Sequence, residues 1–143
     1  MLKNWWLIAG AVLAGISVAA GAFAAHGLDR HFVGKYAGET RVVAGQEVPR
    51  SVKALHDFKT GAEYQMTHSL ALIAVGLLAE RRQNRWLTIA GWGFLGGIFL
   101  FSGSLYLLTL TGVTKWGMVT LIGACCSWSA GGRWPPGRRA AEP

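Results

Sequence analysis

Hydrophobic positions along this chain fall into four runs that are separated by shorter polar segments. Three runs cover about residues 5–26, 61–80 and 86–109, and each is close to the ~20 residues that a helix needs to cross a bilayer. The fourth, about residues 116–130, is short for a full span. The pattern predicts an all-α integral membrane bundle of four transmembrane helices, with a short or atypical fourth helix.

A polar segment between the first two runs contains a second, weaker periodicity. Val52, Leu55 and Phe58 recur at helical spacing. Ser51 stands before them and is suited to cap a helix. This spacing predicts an amphipathic helix over about residues 51–59, which lies at the membrane interface and leads into the second span.

Two other segments lack a helical pattern. The residues around Gly45 fit either a short hairpin or a loop. Residues 131–143 contain Pro135-Pro136 and three arginines, which is typical of a polar basic tail without regular structure. We therefore expect a single transmembrane domain over residues 1–130, followed by a disordered tail.

The first run also has features of a secretory signal peptide. Lys3 precedes it, and Ala22-Phe23-Ala24 resembles the small-residue site at which such peptides are cleaved. The run exceeds the ~7–15 residues of a usual signal-peptide core, which favours a retained span. Cleavage stays an alternative, and it would leave three spans.

Composition supports the assignment to a membrane. Hydrophobic residues make up 52% of the chain and charged residues 15%, below the ~25% of soluble domains. The net charge of +7 comes largely from basic residues between the runs, among them Arg81, Arg82 and Arg85. Such clusters orient a protein and contact anionic lipid headgroups, so we expect the lipid bilayer, and no nucleic acid, as a partner. They also predict that both termini face the cytoplasm.

Two possible cofactor or metal motifs occur in the sequence, but the residues around each of them argue against that function. Gly91 to Gly96 spell GxGxxG, but that motif binds dinucleotides only between a strand and a helix, and here it lies inside an apolar run. Cys125 and Cys126 are adjacent and have neither metal-ligand nor redox spacing. No metal and no cofactor are expected.

Small residues at helical spacing predict close contacts between helices. In lipid, helices associate through packing, and glycine lets two backbones approach. The positions that we assign to helix packing are Gly15, Gly21, Gly93, Gly97 and Gly103.

Polar side chains in or beside the spans are the candidate site, because each is costly in hydrocarbon. Counted at ~1.5 Å per residue from the arginine-rich ends, most lie ~25–31 Å along their helices, with His68 deeper at ~18 Å. This predicts that they converge at the extracytoplasmic end. They either sit at the interface as helix caps or form a small pocket in which Glu63 pairs with His26 above His68. The candidate residues are His26, Glu63, Tyr64, Gln65, His68, Ser102, Ser104, Tyr106 and Thr120.

Three motifs occur in a fixed order: Gly21-Ala-Phe-Ala-Ala-His26-Gly27, Gly61-Ala-Glu-Tyr-Gln-Met-Thr-His68, and Leu100-Phe-Ser-Gly-Ser-Leu-Tyr106. Together they make residues 5–124 resemble the small membrane-protein family called domain of unknown function 423, or transmembrane protein 256-like. The resemblance implies a four-helix protein of the bacterial inner (plasma) membrane with no assigned activity. From Cys125 onward the chain departs from the family pattern. Either a shifted reading frame or a genuinely divergent tail explains such a change.

Several functions are compatible with these features. The absence of a recognisable nucleophile–base set favours a non-enzymatic accessory or structural membrane component, acting as a homo-oligomer or within a larger membrane complex. An oligomeric small-solute or proton-linked transporter or channel that uses Glu63, His26 and His68 is the alternative. A lipid- or quinone-binding membrane protein is a second alternative.

Overall fold

The computed structural model describes residues 5–82 and 84–117. This part of the chain is mainly helical, with one hairpin between the second and third helices. Its elements in chain order are α1 (Trp5–His26), α2 (Leu28–Lys35), β1 (Thr40–Val43), β2 (Gln46–Pro49), α3 (Arg50–Arg81), α4 (Arg85–Gly97), a π-helical turn (Ile98–Ser102) and α5 (Gly103–Thr111).

Two helices in the described ranges are long and apolar enough to cross a membrane. One is α1, and the other is the continuous rod over residues 85–111 that α4, the π-helical turn and α5 form together. The predicted second span, within α3, is not one of these two, because Glu63, Gln65 and His68 interrupt its apolar run. The fold is thus helical with two membrane-capable helices, while the fourth predicted span and the tail lie almost wholly outside the described residues.

The predicted interfacial helix and the second span are one element. α3 runs without a break over 32 residues, which is roughly 48 Å at the usual rise. It begins at Arg50, directly after Pro49, and not after Ser51. Residues 51–59 are helical as predicted, but they are part of this one helix and not a separate element. Gly61, near the boundary between the two predicted elements, is buried against Leu105 and Tyr106.

The segment around Gly45 is a hairpin and not a loop. β1 and β2 pair antiparallel, with Val43 opposite Gln46. The turn between them consists of Ala44 (φ 50°) and Gly45 (φ 81°). Two successive positive φ angles are the signature of a tight two-residue hairpin turn, and glycine adopts the second without strain.

α3 is the helix against which the others pack. α1 lies antiparallel along it, with Leu7 beside Gly76 and Ser17 beside Ala62. The rod over residues 85–111 packs along another side of α3. One end of the bundle therefore holds Trp5, Arg81 and Arg85, and we call it the arginine end; the other holds α2 and the hairpin, and we call it the hairpin end.

Each end of the bundle has its own hydrophobic cluster. At the arginine end, Trp6 packs edge-to-face on Trp92, with ring centroids 5.4 Å apart, beside a group of buried aliphatic residues. At the hairpin end, α2 folds back over α3 and buries Phe32 completely. The polar side chains of the bundle lie between these two clusters. The buried members are Trp6, Leu72, Val75 and Ile98 at the arginine end, and Ala24, Leu28, Phe32, Tyr36, Ala54 and Phe58 at the hairpin end.

Candidate functional site

The most connected polar group in the bundle is the side-chain amide of Gln65, which is only 3% exposed. Its Nε2 donates to the backbone oxygen of Leu13 in α1 over 2.9 Å. Its Oε1 accepts from the hydroxyl of Tyr106 in α5 over 3.0 Å. One side chain of α3 thus joins α1 and α5 through two hydrogen bonds, and interhelical bonds of this kind help hold helices together in lipid.

Buried hydroxyl groups surround this amide and are mostly bonded to backbone carbonyls. Ser17 of α1 donates to the oxygen of Ala62 in α3 over 2.7 Å, which makes a second bond between these helices. Ser69 donates within α3 to the oxygen of Gln65 over 2.6 Å. Both hydroxyls are therefore satisfied, as buried polar groups need to be.

The two serines of the candidate set lie at the junction of the π-helical turn and α5. Ser104 donates to the backbone oxygen of Phe101 over 2.9 Å. Ser102 is 1% exposed, and its hydroxyl has no hydrogen-bond partner among the residues that the structure describes. The extra residue of a π-helical turn widens the helix locally, and here it turns Ser102 into the bundle.

The Gln65 cluster lies near the middle of the bundle and not at its hairpin end. Gln65 bonds to Leu13, close to the centre of α1. The sequence-based depth was wrong because it assumed that every helix begins at the same level. In the structure Gln65, which is sixteen residues before Arg81, bonds to Leu13, which is only eight residues after Trp5, so equal counts along two helices do not give equal levels.

The structure does not bring the charged candidates together. His26 and Glu63 are both exposed, and no ion pair joins them within the described part of the chain. The predicted Glu63–His26 pair is therefore absent there. Thr120 lies outside the described residues.

His68 belongs to an aromatic stack on the side of α3 that faces the rod. Its ring lies edge-to-face on Phe94, with centroids 5.9 Å apart, and its Nδ1 donates to the backbone oxygen of Tyr64 over 2.8 Å. Tyr64 is half exposed and stacks on Phe101. The histidine is thus held by packing and by its own helix, and it does not form the floor of a pocket with His26.

The glycines that permit the closest approach are not those that the sequence pattern selected. A Cβ atom at Gly10 would lie 2.7 Å from the oxygen of Ser69, and one at Gly76 would lie 2.7 Å from the nitrogen of Leu7. At Gly15 and Gly21 a Cβ would meet nothing within 4 Å.

Four more glycines, all in the rod, complete this comparison. A Cβ at Gly91 would lie 2.7 Å from the ring of Trp6, which makes Gly91 a contact point that the packing pattern missed. A Cβ at Gly103 would meet only the oxygen of Ile98, at 4.0 Å, so Gly103 is not a close contact between helices. Gly97 is buried and Gly93 is half-buried. At Gly15, Gly21 and Gly103 the spacing therefore selected positions without a close contact between helices, because it does not reveal which helix face meets a neighbour.

The hairpin end contains a set of contacts that the sequence analysis did not identify. The hydroxyl of Tyr36 donates to the oxygen of Thr109 over 2.8 Å, and Nη2 of Arg50 donates to the oxygen of Gly112 over 3.0 Å. Nζ of Lys35 donates to the oxygen of Leu110. These donors satisfy carbonyls at the end of α5, where a helix has no partners of its own. The basic residues of this segment were visible in the sequence, but no pattern in the sequence shows that their side chains contact the end of α5.

We expect Tyr36→Phe to lower the free energy of unfolding by about 1 kcal/mol, because it removes one buried hydrogen bond and little volume. Thermal unfolding of the purified protein in mild detergent measures this. Tyr64→Phe is the control, since the Tyr64 side chain is half exposed, and we expect a change within about 0.5 kcal/mol. Equal effects of the two substitutions would show that the Tyr36 bond contributes nothing.

No group of three or more His, Cys, Asp or Glu side chains within residues 5–82 and 84–117 could hold a metal ion.

Comparison with known proteins gives a consistent family assignment. The family model described as "Protein of unknown function (DUF423)" matches residues 20–124. The UPF0382 membrane protein YwdK of Bacillus subtilis (strain 168) is 36% identical over 82% of both chains. A UPF0382 membrane protein of Haemophilus influenzae is 40% identical over 75% of this chain and 71% of its own. The UPF0382 inner membrane protein YgdD of Escherichia coli (strain K12) is 32% identical over 86% of this chain and 80% of its own. No solved structure matches.

Proposed function

We infer that this chain, which belongs to the DUF423 family of membrane proteins of unknown function, is a non-enzymatic accessory or structural component of its membrane. The family resemblance seen in the sequence is thereby confirmed, and the role within the membrane is our proposal. Because a relative is named an inner membrane protein, we propose the bacterial inner membrane as its location, with the arginine end toward the cytoplasm.

The observation that carries this proposal is how the buried polar groups are used. Gln65, Ser17 and Tyr106 bond across helices, and the acceptors are backbone carbonyls or one another. Interhelical bonds of this kind stabilise a bundle in lipid. A catalytic site would instead need a nucleophile, a base and an orienting group within reach of one another.

The exposed face of α1 supports an accessory role. Six large apolar side chains on this helix are each more than half exposed. In a membrane such a surface contacts either acyl chains or another apolar helix. These six residues include Ile8, Val12, Ile16 and Phe23.

Co-purification tests the proposal. The tagged chain, expressed at its natural level, is extracted from its own membrane in mild detergent and examined by native mass spectrometry. We expect a larger membrane protein at fixed stoichiometry, and we expect α1 variants Ile16→Ser and Phe23→Ser to lose it while still folding. The control variants Val33→Ser and Val42→Ser lie at the hairpin end and should retain it. A chain that is isolated only with copies of itself would contradict the accessory role.

A proton-linked transporter is the alternative, and Glu63 provides its test. Glu63 is exposed and has no ion pair in the part of the chain that the structure describes. We therefore expect Glu63→Gln to change the free energy of unfolding by less than about 0.5 kcal/mol. In proteoliposomes with a pH-sensitive dye, we expect the same slow leak for the wild type, Glu63→Gln and His68→Ala. A proton flux that the wild type supports and Glu63→Gln abolishes would replace our proposal with transport.

A further inference from the structure

A small cleft at the hairpin end is lined mainly by basic and hydroxyl-bearing side chains. It lies between the end of α2, β1, the first two turns of α3 and the end of α5. Its volume of about 40 Å³ holds roughly three water molecules, which is comparable to one phosphate group. The polar side chains that line it are Tyr36, Arg41, Arg50, Lys53, Asp57 and Thr114.

Two of the three cations in the cleft are fixed in place. The guanidinium of Arg50 lies 4.5 Å from the ring centroid of Tyr36, donates to Gly112 and pairs with Glu39. These bonds use two of the five N–H donors that an arginine has, so further donors are available to a ligand. Lys53 pairs with Asp57 one turn along α3.

Arg41 is the cation without a partner. It lies on β1, and within the described ranges its side chain makes no hydrogen bond and no ion pair. Three cations line the cleft and face two carboxylates, Asp57 in the lining and Glu39 on Arg50, so the local charge stays positive and favours an anion. The planar guanidinium groups of Arg41 and Arg50 suit the oxygen atoms of a phosphate.

The position of the cleft identifies the kind of phosphate. It adjoins the last turns of α5, where Leu107 and Leu110 are exposed apolar residues at the end of a membrane-capable helix. Acyl chains of a lipid would lie along these leucines while its headgroup reaches the level of the cleft. A soluble phosphate compound without acyl chains would leave this apolar surface without a contact.

We propose that the cleft formed by Arg41, Arg50, Lys53 and Tyr36 binds the phosphate of an anionic lipid headgroup at the hairpin end of the bundle. This site lies at the opposite end from Arg81, Arg82 and Arg85, and it does not depend on the accessory role proposed above. The lipid would connect α2, the hairpin and α5, because each contributes to the lining of the cleft.

Lipid titration of the full-length protein in mild detergent tests the site. Dioleoylphosphatidylglycerol should raise the melting temperature of the wild type, whereas dioleoylglycerol, which has the same chains and no phosphate, should not. Arg41→Gln should raise the half-saturating lipid concentration by about five- to tenfold, through the loss of one charge near the surface. Arg30→Gln is the control, because Arg30 is exposed on α2 at the same end and does not line the cleft.

A second variant guards against a simple loss of folding. Asp57→Asn removes the carboxylate of the cleft and frees Lys53, so it should lower the half-saturating lipid concentration. Equal concentrations for the wild type, Arg41→Gln and Asp57→Asn would overturn the proposal, as would equal stabilisation by dioleoylglycerol. Sodium phosphate that stabilises the wild type in an Arg41-dependent way, where the lipid does not, would overturn the lipid as the ligand and assign the cleft to a soluble phosphate.

Discussion

Replacing Gly10 by leucine should separate α1 from α3 and destabilise the bundle by more than about 3 kcal/mol. A Cβ at this position would lie 2.7 Å from the oxygen of Ser69 and 2.9 Å from the nitrogen of Ile73. Both are backbone atoms of α3, so the clash cannot be relieved by turning a side chain. The helices would have to move apart, and the bonds of Gln65 to Leu13 and of Ser17 to Ala62 would break with them.

Gly15→Leu is a matched control on the same helix. It adds the same side chain and the same helix propensity, but its Cβ meets nothing within 4 Å. Thermal unfolding in detergent and membrane fractionation should show that both variants insert, while only Gly10→Leu loses stability. Similar melting temperatures for the two variants would contradict the close contact between α1 and α3.

Gln65→Met should cost about 1–3 kcal/mol of stability, because the substitution keeps the volume and removes the amide. The Tyr106 hydroxyl would lose its acceptor, and the Leu13 carbonyl would lose the donor from α3. Tyr106→Phe removes only one of these two bonds, so a smaller loss is expected. Reversible unfolding in detergent or bicelles measures both.

A double-mutant cycle isolates the bond between Gln65 and Tyr106. The combined Gln65→Met and Tyr106→Phe variant should be more stable than the sum of the single losses predicts, by about 0.6–1.7 kcal/mol. A control cycle pairs Gln65→Met with Tyr36→Phe, whose hydroxyl bonds elsewhere, and should be additive. Additivity in both cycles would show that Gln65 and Tyr106 do not interact.

The hydrophobic runs were sufficient to predict the helices but not their continuity. Apolar runs located α1 and the rod because lipid-facing helices are hydrophobic on nearly every side. The same signal treated residues 51–59 and the second span as two elements, because one is amphipathic and the other is apolar. In the structure both belong to α3, and Gly61 near their boundary packs against Leu105 and Tyr106, a tertiary contact that no local pattern contains.

The polar candidates differ in how deeply the structure buries them. Gln65, Ser102, Ser104 and Tyr106 do lie in or beside the core, because a polar residue in an apolar run either bonds to another helix or faces a protected surface. Glu63 stood in the same run and is exposed. Glu63 and Gln65 are two residues apart and so point to different sides of α3. Only the side of Gln65 is covered by α1, and the sequence does not show which side that is.

The register between helices was the largest error in the sequence-based site. Counting residues from each charged end gave His26 and Tyr106 similar depths of about 30 Å. In the structure Tyr106 bonds to Gln65 near Leu13, thirteen residues before His26. Helix offsets are set by where glycines let backbones meet, here Gly10 and Gly76, and by Trp6 against Gly91. These contacts are non-local, so one sequence does not reveal them.

Cysteine cross-linking in native membranes tests the central claim, which is that α1 is retained and packs antiparallel on α3 in this register. Ser17→Cys and Ala62→Cys are combined in a chain whose Cys125 and Cys126 are replaced by serine. Both substitutions are small, and the Ser17 hydroxyl lies 2.7 Å from the backbone oxygen of Ala62, so the two thiols come within reach of each other without a backbone clash. The control pair, Leu7→Cys with Ala62→Cys, lies roughly 21 Å apart along α3. We predict an intramolecular disulfide in the first pair alone; its absence, or the loss of residue 7 by cleavage, would contradict the account.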